Sequence, residues 1–367
     1  MKIAFTGGGT GGHIFPIIAV AREVEKIAQR DKKSLEMIFI GSTNGAEQLF
    51  ADNNIKPKSI VTGKLRRYFS FQYLIDMPKI LIGLVQSYIY LFFYMPDIIF
   101  SKGGYGSFPV VVIGWLFRIP VISHESDSIS GLTTRVLAKF SKKIVVSFPG
   151  DYPELRGDKV VRIGNPTRDL RGGDITTAYK EFNITTKKPI ILILGGSQGA
   201  EQINTLVISM LPKLTEKYEI IHQTGEAHYG AIYEYIKRLP AERGASYHPI
   251  ASLNEIQMKL VLALSNIVIS RAGSGAIFEI ALTAKPSILI PLAGSAYDHQ
   301  QRNAQIYQTI GACYALDSAN LTDDFLLERI DSIINNPEKY RQLQAAAMAF
   351  SKPEAAAQIA QLILDYK

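Results

Sequence analysis

The chain has 367 residues, 47% hydrophobic and 20% charged, an ordinary globular composition that excludes wholesale disorder and suits two domains better than one. Its one cysteine, Cys313, excludes a disulfide framework and a cysteine-rich zinc site, and fits a reducing compartment. The net charge of +7 is unevenly placed: residues 1–165 carry 21 Lys/Arg against 13 Asp/Glu and the rest 19 against 20, so the first half suits nucleic acid, an anionic membrane surface or a phosphate-rich substrate.

Met1–Phe5 runs straight into Gly7-Gly8-Gly9, too short an apolar stretch for a secretory signal. Short apolar runs then recur at Lys2–Thr6, Met37–Ile40, Asp97–Ser101, Val121–His124 and Lys143–Ser147, alternating with helical patterning such as Pro16–Arg30. That alternation predicts a doubly wound parallel sheet. Between them, Ile80–Met95 is apolar nearly all round but spans only 16 residues and ends at Pro96, short of a bilayer span. It reads either as a core helix or as a helix set into a membrane interface. Its neighbours Lys64, Arg66, Arg67 and Lys79 tilt the reading to an interfacial patch with Ile80 and Leu84.

A second strand series follows Asn165-Pro166: Ile190–Leu194, Tyr218–Gln223, Ser246–Pro249, Ile267–Ser270, Ser287–Pro291 and Ala312–Ala315. Two Rossmann-like α/β domains are expected, 1–166 and 167–352, with residues 353–367 closing as a helix on the first.

Three glycine loops each follow a predicted strand and precede a helix: Gly7–His13, Lys102–Ser107 and Gly195–Ala200. Glycine lets the backbone turn sharply and bring N–H groups to an anion, and a helix N-terminus adds about half a positive charge. Gly7, Gly9 and Gly12 satisfy the dinucleotide fingerprint, but the second strand ends in Gly41-Ser42-Thr43 rather than the acid that would bind a nicotinamide ribose. Three such loops point instead to two phosphate-bearing ligands. His13, whose unperturbed pKa is near 6.5, suits base or phosphate-contact duty there, against a capping or packing role. His124-Glu125 end a strand at the same edge, as a buried structural pair or with Glu125 as an alternative base.

In order and spacing, the chain's motifs resemble those of the MurG-type family of bacterial cell-wall glycosyltransferases. They are GGTGGH at Gly8–His13, GGYGSFP at Gly103–Pro109, HESD at His124–Asp127, GNPTR at Gly164–Arg168, GGSQGA at Gly195–Ala200, RAGSGAIFE at Arg271–Glu279 and DHQQRNA at Asp298–Ala304. The resemblance spans nearly the whole chain. It implies a GT-B fold of two Rossmann-like domains facing across a cleft, with UDP-N-acetylglucosamine as donor. The implied acceptor is lipid I, undecaprenyl-pyrophosphoryl-N-acetylmuramyl-pentapeptide, used at the cytoplasmic membrane face by a peripheral enzyme. The product would be lipid II, formed with inversion. Other cell-wall synthesis proteins are candidate partners.

The resemblance marks the His13 position as functionally important without fixing its role; the residues themselves offer His13 as the catalytic base, with Glu125 as runner-up. Thr10, Gly11, Gly12, Arg168, Ser197, Gln198, Gly199, Ala200, Gly275, Glu279, Gln300 and Gln301 would bind the donor, Glu279 at the ribose and the glutamines at the sugar hydroxyls. His13, Gly104, Tyr105, Gly106, Ser107, His124 and Asp127 would bind the acceptor. The chain departs from the pattern at Ser130, where a proline is expected, and at His248–Glu255, where the uracil-binding stretch lacks its aromatic residue. No D-x-D occurs, so no protein-bound metal and no cofactor are expected, which leaves room for Mg²⁺ carried by substrate phosphates.

Other readings are a GT-B enzyme for another membrane lipid, a dinucleotide oxidoreductase and a non-catalytic nucleotide-sugar sensor. Nucleic-acid binding is disfavoured, because the aromatics of the basic half cluster in an apolar helix instead of interleaving with Lys/Arg.

Overall fold

In the computed structural model the described residues are 1–63, 71–155, 157–196, 199–238, 244–295, 298–317 and 321–366, with backbone alone for 71–75. Lys64, Arg66, Arg67, Ser197 and Gln198, named above, lie outside them. The chain divides into two compact units, Met1–Arg168 with Lys352–Lys367, and Asp169–Ser351.

In the first unit the elements run β1 (Lys2–Thr6), α1 (Gly11–Arg30), β2 (Glu36–Gly41), α2 (Glu47–Ala51), β3 (Ile55–Ser59), α3 (Phe71–Tyr94), β4 (Ile98–Ser101), α4 (Phe108–Leu116), β5 (Val121–Glu125), α5 (Leu132–Leu137), β6 (Lys143–Val146) and β7 (Val160–Arg162). The strands pair in parallel in the order β3-β2-β1-β4-β5-β6-β7. In the interior strands the Ile, Val and Phe side chains are buried on both faces, which is why these runs are continuous rather than alternating. One face packs against α1 and the chain's last helix through Ile17, Val20, Val24, Ile359 and Ile363; the other packs against α3 and α4 through Leu91, Val110 and Val111.

Helix α3 is longer than the 16 residues expected. Its apolar stretch Asp76–Tyr94 has 19 residues, enough by length and composition to cross a membrane, and 22% of it is buried. Asp76, Ile80, Gly83, Ser87 and Leu91, at helical spacing, form its buried stripe. Gly83 sits where a Cβ would meet the Val61 carbonyl oxygen at 2.4 Å, so the helix lies close on the chain beneath. Ile80, 8% exposed, and Leu84, packed on the core, therefore face inward. The apolar face turned to solvent is instead Leu81, Ile82, Val85, Tyr88, Ile89, Phe92 and Phe93.

The second unit runs α6 (Ile175–Glu181), β8 (Ile190–Leu194), α7 (Glu201–Lys217), β9 (Glu219–Gln223), α8 (Glu226–Ile236), β10 (Tyr247–Ile250), α9 (Glu255–Leu264), β11 (Ile267–Ser270), α10 (Ser274–Leu282), β12 (Ser287–Leu289), α11 (His299–Thr309), β13 (Cys313–Ala315), α12 (Asp323–Ile334) and α13 (Pro337–Phe350). Its parallel order is β10-β9-β8-β11-β12-β13. Helix α14 (Ala355–Leu364) belongs to the first unit and packs on α1.

Candidate active site

In an open parallel sheet, ligands bind beyond the carboxyl ends of the strands, where the strand order reverses. In the first unit that point lies between β1 and β4, and both glycine loops leave the sheet there. Thr6 pairs with Ser101, the Lys102 N–H donates to the Thr6 carbonyl at 2.8 Å, and the Gly8 N–H donates to the Gly103 carbonyl at 3.2 Å. The loops touch so closely that a Cβ on Gly106 would lie 2.5 Å from the Gly7 carbonyl oxygen. Gly103 and Gly104 hold φ near +79° and +78°, a conformation that favours glycine.

Helix α1 starts at Gly11, five residues before the expected Pro16, so Gly11 and Gly12 form its first turn. His13 is thereby the third helical residue and half-buried. Thr10, exposed, places its hydroxyl 2.8 Å from His13 Nδ1. A Cβ on Gly104 would be 3.0 Å from His13 Nε2, so the ring edge bearing that nitrogen lies against the second loop. With Nδ1 held by Thr10, Nε2 is the atom left to exchange a proton. Burial and the nearby Lys102 ammonium lower the His13 pKa to about 3, which keeps the imidazole neutral.

Glu125 has a different environment. It is 6% exposed, and its two carboxyl oxygens accept from the Asp127 and Gly131 N–H groups, each at 3.0 Å. Burial and then the Asp127 carboxylate raise its pKa, while hydrogen bonds from Thr134 and the two amides oppose the rise. A carboxylate engaged at both oxygens shapes the 126–131 loop. Ser130, the departure from the expected proline, ties the same loop: its hydroxyl donates to Glu154 at 3.2 Å, and its carbonyl accepts from Arg135 at 3.0 Å.

Several residues expected to meet a ligand are buried and make contacts within the first unit. His124 is 1% exposed, with Nε2 3.1 Å from the Gly164 carbonyl and 3.2 Å from the Ser147 hydroxyl, so it joins β5 to the turn after β7. Ser107 is fully buried and donates to the Gly104 carbonyl at 2.8 Å, closing its own turn. Arg168 is 5% exposed, with its guanidinium 4.2 Å from the centre of the Phe15 ring, a packing contact inside the first unit. Tyr105 and Asp127 remain half-exposed at the strand ends.

In the second unit the order reverses between β8 and β11, and Leu194 pairs with Ser270. Gly195–Ala200 leads into α7, and Arg271–Gly273 leads into α10. Gly196 and Gly199 hold φ near +80°, and a Cβ on Gly199 would be 2.6 Å from the Thr224 carbonyl oxygen. Neither α7, starting after buried Ala200, nor α10, starting after Gly273, has a side-chain cap, and the same holds for α1. Helices α6, α9, α12 and α13 are capped by Asp174, Asn254, Thr322 and Asn336. Helices α2, α4, α5, α8, α11 and α14 also lack a side-chain cap, so what marks α1, α7 and α10 is their place beside glycine turns at the strand-order reversals. First-turn N–H groups without a capping side chain beside glycine turns make an anion cradle.

A Cβ on Gly275 would meet nothing within 4 Å, and Glu279 lies one turn further along the same helix, half-buried. Arg271 fixes the loop's shape, donating to the Ile290 and Pro291 carbonyls and to Gln202. Gln300 and Gln301 differ in their surroundings: the Gln300 side-chain carbonyl accepts from the Leu292 N–H at 3.0 Å, while Gln301, about 100° further around the helix, is exposed. In the unassigned stretch, His248 pairs with Glu219 at 2.8 Å, and Asn254 and Gln257 form a capping box. Among the described residues, no group of three or more His, Cys, Asp or Glu side chains could hold a metal ion.

Two parallel-sheet α/β units, each with glycine turns at its strand-order reversal, define the GT-B class of architecture. Residues 3–146 match the Glycosyltransferase family 28 N-terminal domain, residues 190–361 match the Glycosyltransferase family 28 C-terminal domain, and the chain belongs to that family. It is 38% identical over 322 residues to a UDP-N-acetylglucosamine–N-acetylmuramyl-(pentapeptide) pyrophosphoryl-undecaprenol N-acetylglucosamine transferase of Treponema pallidum (strain Nichols), covering 86% of this chain and 82% of that one. The transferase of the same name from Borreliella afzelii (strain PKo) is 36% identical over 365 residues, 99% of this chain and 96% of that one. Among solved structures, Acinetobacter baumannii MurG is similar with a TM-score of 0.73 and 25% identity over 99% of each chain. The resemblance read from the motifs and the expected pair of parallel-sheet α/β domains are both borne out.

The lowered His13 pKa gives a direct expectation. A neutral imidazole stays neutral as pH falls until it reaches its own pKa, so the His13 ring resonance in an NMR titration should not move between pH about 8 and about 5. A midpoint near the ordinary value of about 6.5 would contradict the described environment.

Proposed function

We propose that this family 28 glycosyltransferase moves N-acetylglucosamine from UDP-N-acetylglucosamine to undecaprenyl-pyrophosphoryl-N-acetylmuramyl-pentapeptide, giving lipid II for peptidoglycan. The observation that carries the reading is the 34–38% identity to relatives bearing that activity in their names, over most of the chain. In the chemistry, an acceptor hydroxyl oxygen attacks the anomeric carbon of the donor sugar from the side opposite the nucleotide. The new glycosidic bond forms as the bond to UDP breaks, and the configuration inverts. His13 Nε2 takes the hydroxyl proton, and the charge gathering on UDP is met by N–H groups of the Gly195–Ala200 loop and of the first turns of α7 and α10. Glu279 accepts hydrogen bonds from the ribose hydroxyls. Thr10 holds the base ring, and Glu125 fixes the 126–131 loop beside it. Tyr105 and Asp127 face the acceptor.

The acceptor is a lipid, and the first unit supports docking at an anionic membrane surface. Solvent-facing Leu81, Val85, Phe92 and Phe93 of α3 adjoin exposed Trp115 and Leu116 at the end of α4, with Lys79 and Arg118 exposed at the margins. An apolar face with cationic edges suits the headgroup boundary, while the buried stripe keeps α3 on its sheet. The enzyme thus works as a peripheral protein of the cytoplasmic membrane face, where other cell-wall synthesis proteins are candidate partners.

Release of UDP with a short-chain acceptor analogue tests the chemistry. The unmutated protein should turn over, His13→Ala should lose roughly 10²–10⁴ in kcat, and Glu279→Ala should raise the donor KM about tenfold or more. No turnover by the unmutated protein would end the transferase reading; full activity in His13→Ala would return the base role to Glu125. For membrane docking, the double variant Val85→Glu/Phe93→Glu should bind phosphatidylglycerol vesicles roughly tenfold or more weakly and keep its rate on a water-soluble acceptor. Unchanged vesicle binding would remove this surface from the account.

A further inference from the structure

Lys102 follows β4 directly, and its side chain ends inside the first unit. It is 2% exposed, and its ammonium has no hydrogen-bond partner among the described residues. Lysine is among the least buried residue types, and where it is buried its charge is ordinarily paired. The adjoining strand ends carry the same signature. Thr6 Oγ1 at the end of β1 and His124 Nδ1 near the end of β5 are also buried without a partner. Register aligns Thr6 with Ser101 and Ser123, and so places Lys102 and His124, one residue further on, in line with each other on the opposite face of the sheet. Two of these atoms, the Lys102 ammonium and His124 Nδ1, therefore belong to one face at the adjacent ends of β4 and β5, next to the point where the strand order reverses.

The nearest acids do not neutralise the ammonium by contact. Both Glu125 oxygens are taken by the Asp127 and Gly131 amides. Asp127 acts on Lys102 through its field, alongside Glu125. Beside the lysine, the backbone is glycine: a Cβ on Gly7 would lie 3.5 Å from Lys102 Cβ, and Gly103 and Gly104 follow in the chain. Lys102 Cβ thus stands beside the first loop and at the head of the second, with no side chain on Gly7, Gly103 or Gly104 in its way.

We propose that Lys102 is the counter-charge for the acceptor's diphosphate, its buried ammonium pairing with a diphosphate oxygen when the acceptor occupies the glycine loops after β1 and β4. This rests on the transferase reading above. The groups acting on the lysine are His13 on α1, His124 and Glu125 on β5, and Asp127 after β5. Burial lowers the Lys102 pKa to about 8, against the pull of the two carboxylates. An arriving diphosphate favours the charged amine. It also cancels the charge that helps lower the His13 pKa, so acceptor binding strengthens the base that the acceptor then needs.

The test is the KM for a short-chain diphosphate acceptor from pH about 6.5 to about 9.5 in the unmutated enzyme, Lys102→Met and Lys102→Arg. In the unmutated enzyme this KM should rise above pH about 8, approaching tenfold per unit as the amine loses its proton. Lys102→Met should raise it about 10–100-fold at neutral pH with the donor KM unchanged. Lys102→Arg should keep a low KM with no rise above pH about 8, because guanidinium stays charged. An unaltered acceptor KM in Lys102→Met overturns the proposal. If that variant fails to fold, Lys102→Arg decides: a pH profile following the unmutated enzyme overturns it too. Phosphatidylglycerol vesicles should bind Lys102→Met as well as they bind the unmutated protein; weaker binding would make a phospholipid headgroup the partner and overturn the proposal. Absence of turnover in the unmutated enzyme instead marks failure of the transferase reading.

Discussion

A parallel sheet sends every strand's carboxyl end to one edge, and where the strand order reverses, neighbouring loops part and leave room for a ligand. Each unit of this chain fills that room with glycine and with helix starts that lack side-chain caps. Phosphate is then met by backbone N–H groups and helix dipoles, and a loop with no side chains lets the anion approach closely. The close fit of Gly106 against the Gly7 carbonyl, and of Gly199 against Thr224, shows how little space the arrangement leaves for any other residue.

Backbone sites need rigid supports, and the first unit has them in its internal polar contacts. Glu125 holds two loop amides, Ser130 joins Arg135 and Glu154, and His124 reaches the Gly164 carbonyl. His13 and Glu125, which sequence offered as first and second candidate for the base, have different surroundings. Glu125 spends both oxygens on the loop, whereas His13 is held at one ring nitrogen and presents the other to the second glycine loop. Lys102 stands among them buried, within the field of Glu125 and Asp127 but with no hydrogen-bond partner among the described residues.

What the sequence made legible was whatever depends on continuous burial. The interior strands of both sheets are apolar runs flanked by turns, and each was found within a residue or two. The edge strands β3 and β7 escaped: Ile55–Ser59 contains Pro57 and two lysines, and Val160–Arg162 is three residues long. An edge strand needs little hydrophobic signal, and these two carry less than β10 and β13, the edge strands of the second sheet, which were legible. In the site, the glycine loops were legible because their chemistry is local. The inward turn of His124, Ser107, Arg168, Ile80 and Leu84 was not, since residue type says nothing of which side of a strand end or helix faces the core. The burial of Lys102 had no sequence signal beyond its place in a glycine loop.

The central claim is that the two reversal points serve different ligands, the second unit's taking the nucleotide. Hydrogen exchange with and without UDP, which lacks the sugar, tests it most directly. The account predicts slowed exchange at amides of 195–200 and 271–275, with residues 7–12 and 102–107 unchanged. Protection appearing at 7–12 and 102–107 while 195–200 and 271–275 exchange as before would contradict it.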